Sequence, residues 1–69
     1  MTALYRVEYQ RPAGPSWWAS REGVTPAREW SDKLSHEQAL EHIRRTLAVY
    51  QREGLKARMV LAAVPGRAA

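Results

Sequence analysis

From Ala3 to Gln10 apolar and polar positions alternate. Tyr5, Val7 and Tyr9 fall on one side of an extended chain, and Leu4, Arg6, Glu8 and Gln10 fall on the other. A period of two with one apolar side is the pattern of a half-buried strand. Pro12, Gly14 and Pro15 end it in a stiff loop. After Leu34 the period changes. Leu40, Ile43, Leu47 and Tyr50 recur at spacings of three and four, which places them on one arc of a helix, with Ala39 and Thr46 beside it. Ser35 and Gln38 stand where a reciprocal capping box would open that helix, and Gly54 stands where a left-handed residue would close it. The helix is therefore expected over 35–54.

The opposite side of this helix carries Gln38, Glu41, Arg45 and Arg52, and Glu41 to Arg45 has the favourable acid-to-base order. Val49 breaks the pattern by lying between Arg45 and Arg52. A lone exposed Val needs no explanation; alternatively Arg45, Val49 and Arg52 form a contact stripe. Two further strands frame the helix. Trp17 to Arg21 is a short one, and adjacent Trp residues in a strand face opposite ways, so one of Trp17 and Trp18 enters the core and the other faces out or lies at an edge. Leu55 to Val64 is the last, with Lys56, Arg58, Val60, Ala62 and Val64 on one side and Ala57, Met59, Leu61 and Ala63 on the other. Both sides are apolar from Met59 onward, as in a strand that is central in its sheet or pairs across an oligomer interface. Glu22 to Ala27 is expected as a turn, and Arg28 to Ser31 as a third strand carrying Trp30 inward. Asp32 and Lys33 turn the chain into the helix.

The expected fold is α+β: a small three- or four-stranded, mainly antiparallel sheet with one helix packed on one face, in the order β-β-(β)-α-β. Residues 1–69 make one domain, with 65–69 a frayed tail. The helix arc is expected to rest on Tyr5, Val7, Tyr9, Met59 and Leu61. Should the last strand run parallel to the one before the helix, its crossover would be right-handed. The open face would show Leu4, Arg6, Lys56, Arg58, Val60 and one Trp.

Composition narrows the function. The chain has no cysteine, so neither a disulfide nor a thiolate metal site is available. A chain of 69 residues buries only about 60% of its unfolded surface, so good packing, self-association or a partner must supply the rest of its stability. No apolar run approaches a membrane span and no signal-peptide pattern precedes the first strand, so a cytoplasmic location is expected. The net charge of +4 is uneven: residues 1–41 hold five bases against six acids, and residues 42–69 hold six bases against Glu53 alone. A basic half suits phosphate or an acidic protein surface, and nine of the eleven bases are Arg, the better match to either oxyanion.

Catalytic chemistry is not apparent. His36 and His42 are six apart and lie about 120° around a helix, so they cannot share a metal as an i, i+4 pair would. His36 reads as a capping or boundary residue and His42 as a solvated one. Asp32, the one Asp, sits in a turn, and the four glycines are scattered and make no phosphate cradle. No enzyme and no cofactor is expected.

Binding readings remain. In size and layout the whole chain resembles the small single-domain proteins of phages and prophages, among them anti-CRISPR inhibitors, some of which are likewise a short sheet with one helix. No motif carries the resemblance, so it assigns no residue a role. It implies a protein that occludes or tethers a larger protein or nucleoprotein assembly in the host cytoplasm. Members of that group often mimic DNA with acidic surfaces. A basic chain would instead grip an acidic protein patch or bring nucleic acid onto its target. The candidate residues are Arg45, Val49 and Arg52 on the helix, Arg6, Lys56 and Arg58 on the sheet, and Trp17 or Trp18. A direct nucleic-acid binder using the basic sheet face is the second reading, although no RNP-type motif is present. A homodimer burying Val60, Ala62 and Val64 across a two-fold axis is the third, compatible with either.

Overall fold

In the computed structural model, which describes residues 3–63, the alternating segment becomes an inner strand. β1 (Leu4–Gln10) is followed by β2 (Trp17–Ser20) and β3 (Gly23–Thr25), then by helix α1 (His36–Val49) and β4 (Lys56–Ala63). The sheet order is β3-β2-β1-β4 and every pairing is antiparallel. Tyr5, Val7 and Tyr9 stand opposite Leu61, Met59 and Ala57, and Tyr9 also stands opposite Trp17. Opposed residues share a face, so one side of the sheet gathers these side chains with Ala19 and Val24, and α1 covers it. Val7, Tyr9, Ala19 and Ala39 are wholly shielded from water.

α1 begins as the sequence indicates. The Gln38 N–H donates to Ser35 Oγ at 3.2 Å, and the Ser35 N–H donates to Gln38 Oε1 at 3.0 Å. The α-helix stops at Val49; a 3₁₀ turn over Gln51–Glu53 then leads to Gly54, whose φ of +65° closes the element. The buried arc differs from the expected one. Ala39 and Thr46 lie at its centre, while Leu40 remains 50% exposed, a rotation of roughly 60° about the helix axis. Small side chains at 39 and 46 let the backbone approach the bulky Tyr9, which a Leu in their place would hold away.

Two further expectations are corrected. Residues 28–31 are no strand: Arg28–Trp30 is a 3₁₀ turn, and Trp30 points outward with 74% of its surface exposed. The third strand lies earlier, inside the stretch read as a turn. Gly23, at φ +135°, closes a tight hairpin after Arg21 and Glu22, so that Ala19 meets Val24 and Trp18 meets Thr25. Once β3 has taken the outer edge of β2, no ladder is left for residues 28–31, and they coil locally. Nor is β4 central, or parallel to a neighbour; it lies at the sheet edge against β1 alone. Val64 and the tail at 65–69 lie outside the described residues.

β1 and β2 pair only at Glu8–Trp18 and Tyr9–Trp17. Residues 32–34 fill the space where they part. The Asp32 N–H donates to the Ala19 carbonyl at 3.0 Å, and Tyr5 and Leu34 exchange both backbone bonds at 2.7 Å. Through this gap the chain passes from the open face, where the 3₁₀ turn lies, to the face that α1 covers.

Candidate binding surface

His42 positions the surface. Its Nε2 lies 3.0 Å from the Ser20 carbonyl and 2.9 Å from the Gly23 carbonyl, and its Nδ1 lies 2.6 Å from the Tyr9 hydroxyl and 3.1 Å from Thr46 Oγ1. Carbonyls only accept, so Nε2 carries a proton and donates to both, and in the neutral ring Nδ1 accepts the Tyr9 O–H. The ring also packs against Tyr9 with centroids 5.7 Å apart. The expectation of a solvated His42 is therefore wrong: the side chain fastens the β2–β3 turn to α1. Burial raises the pKa of Tyr9, an effect partly offset by the hydroxyl contact with Thr46.

Where the turn and the helix meet, their outer flanks leave a shallow groove of about 300 Å³, with Arg21, Glu22, Arg45, Thr46, Val49 and Tyr50 among its lining. Val49 is 72% exposed at its side. Arg45 is exposed and reaches Glu41 at 3.0 Å, and Arg44 reaches the same carboxylate at 2.6 Å. Hydrogen bonds from Arg44, with smaller help from Arg45, hold the Glu41 carboxyl below its usual pKa, and Glu41 in turn raises that of Arg44. One carboxylate serving two guanidinium groups leaves this flank cationic. Arg52 continues it on the following 3₁₀ turn and is exposed. Arg21 faces the groove from the hairpin, 3.8 Å from the Asp32 carboxylate and with its side chain 87% exposed. Arg45, Val49 and Arg52 are thus joined by Arg21, which the sequence offers no periodic signal to find.

The open sheet face holds a different set. Arg6, Arg58, Lys56 and Trp18 share it, as strand alternation requires. Arg6, however, is turned inward. Its Nη1 donates to the carbonyls of Arg28 and Ser31 at 3.2 Å each and to Ser31 Oγ at 2.7 Å. Arg58 lies 2.8 Å from Glu8 Oε1, a close ion pair whose angle is not that of a hydrogen bond. The Arg28 guanidinium lies 5.4 Å over the Trp18 ring. Trp17 lies on the other face, edge-on to Tyr50 with centroids 5.3 Å apart and with Arg11 4.6 Å over its ring. Neither Trp17 nor Trp18 is fully exposed; the free indole is Trp30.

Among the described residues no three His, Cys, Asp or Glu side chains cluster as a metal site, and no helix is long and apolar enough to cross a membrane. Comparison with family models, curated proteins and solved structures finds no match for this chain.

Proposed function

We propose that the protein is a non-catalytic binding module that grips an acidic protein surface through the outer flank of α1. The carrying observation is Val49, 72% exposed between Arg45 and Arg52 and across from Arg21. A water-exposed apolar side chain with Arg45 and Arg21 in the same groove and Arg52 on the next turn suits a partner segment with one apolar residue among carboxylates. The Arg forks take up the carboxylates while the apolar contact excludes water. In this reading the module works in the cytoplasm by occupying a surface of a larger assembly, as an inhibitor of the phage type would, and it needs no cofactor.

Nucleic-acid binding on the open sheet face is the second reading, favoured by Lys56, Arg58 and Arg28 around Trp18. It is the weaker one. Arg6 is turned inward onto Ser31, and Arg28 occupies the indole face on which a base would stack.

Amide chemical shifts separate the two. At low salt, an acidic peptide with a central Leu should move the resonances of Arg45, Val49 and Arg52. The double variant Arg45→Glu/Arg52→Glu should keep the fold and lose the response. A single-stranded oligonucleotide that moves Arg58 and Trp18, with the peptide silent, would replace the first reading by the second.

A further inference from the structure

The fully buried apolar core of the described residues consists of Val7, Tyr9, Ala19 and Ala39, so two of its four members are alanines. The remaining apolar side chains are not spread evenly. His42 and Thr46 seal the flank of α1 toward the β2–β3 turn. Ile43, Leu47 and Leu40 lie on the opposite flank, toward β4, by helical position. There Ile43, Leu47 and Met59 are only half-buried, and Leu40 and Leu61 are 50% and 54% exposed. The shortfall in burial is concentrated along β4.

The backbone of β4 is equally open. Tyr5 directs its N–H and C=O to Leu34, on the side of β1 away from β4. Tyr5–Leu61 is therefore a non-hydrogen-bonded pair, and by alternation so are Val7–Met59 and Tyr9–Ala57. The backbone groups of Ala57, Met59 and Leu61 consequently point away from the sheet, and among the described residues nothing pairs with them.

The geometry points to a second copy of this chain as the occupant of that edge, paired antiparallel through β4 about a two-fold axis at Val60. Three observations select it. In this register Met59 of each copy meets Leu61 of the other, so these two pairs join outward-facing backbone groups to outward-facing ones; the bulge in β4 beyond Leu61 ends the matched run. The charges on β4, Lys56 and Arg58, lie at one end. Antiparallel pairing sets that end against the apolar end of the other copy, so no cation opposes a cation. Arg58 is in addition neutralised by Glu8 at 2.8 Å. Because the axis stands normal to the sheet, both helices lie on one side of an eight-stranded sheet. The exposed Leu40 and Leu61 of each copy then close over the seam, burying apolar area where the monomer lacks it. The pairing leaves the Arg45, Val49 and Arg52 flank free and does not depend on its function.

The whole chain, measured by sedimentation equilibrium, should have twice its 7.9 kDa mass at about 100 μM, a concentration that fills sites with Kd in the micromolar range. Leu61→Lys, at an already exposed position, should keep the far-ultraviolet circular dichroism and weaken association about tenfold or more. The chain has no cysteine, so Val60→Cys introduces a lone thiol. Its Cα would lie about 4.5 Å from its counterpart in a non-hydrogen-bonded pair, within disulfide reach. Diamide should cross-link it rapidly, and should leave Lys56→Cys, about 26 Å from its counterpart at 3.3 Å per residue, uncrosslinked. A monomeric wild type at 100 μM, or Lys56→Cys cross-linking as fast as Val60→Cys, overturns the proposal.

Discussion

At the scale of single residues, the Tyr9–His42–Thr46 cluster joins the centre of the sheet to the helix and the hairpin turn. Tyr9 is wholly shielded, and burial raises its pKa above the ordinary value of 10.0. A raised folded-state value favours the protonated phenol. Its contribution is complete below the unfolded value and is lost as pH rises through the folded one. Urea midpoints of the wild type should therefore fall above about pH 10, and Tyr9→Phe should show a smaller alkaline fall. At neutral pH Tyr9→Phe should cost about 1 kcal/mol, because Thr46 still reaches His42 Nδ1 at 3.1 Å. An alkaline slope unchanged by the substitution would remove Tyr9 as its source. The sequence concealed this cluster for a physical reason. Periodicity scores a polar residue as outward, whereas a His with all its hydrogen-bonding groups satisfied packs as well as an apolar one. Trp30 is the converse case, an apolar residue that its 3₁₀ turn holds outside the core.

Among the elements, those defined by local rules were legible. The capping box of Ser35 and Gln38 forms as spaced, because it depends only on residues three apart. Ser35→Ala should cost about 1 kcal/mol and lower the thermal midpoint by about 4–8 °C. A calorimetric scan that shows no shift would assign the cap no role in stability. β1 and β4 were visible from their alternation. β3 was not: its three residues, Gly23–Thr25, are too few to show a period, and Gly23 at its start and Pro26 after it signal a turn. The helix rotation was hidden too, because a strong arc of Leu40, Ile43, Leu47 and Tyr50 says which residues are apolar, not which are small enough to sit against Tyr9.

For the molecule as a whole, the uneven charge was readable by counting, but its use was not. Arg6 and Arg58 look free in a sequence, yet here they serve Ser31, the Arg28 carbonyl and Glu8. Beside Val49, Arg45 and Arg21 also have carboxylate neighbours, Glu41 at 3.0 Å and Asp32 at 3.8 Å, but their side chains stay 77% and 87% exposed. The proposed pairing through β4 would make stability depend on assembly. The thermal midpoint should rise by a few degrees for each tenfold increase in protein concentration, as mass action requires of a dimer, and a midpoint independent of concentration would describe a self-sufficient monomer. The crossing at residues 32–34 has one more consequence. Because that segment is bonded to Tyr5 on one side and Ala19 on the other, it is a wedge shared by sheet and helix. Loosening the β2–β3 hairpin or α1 therefore disturbs the other through this wedge, and the two are expected to unfold together in one cooperative step.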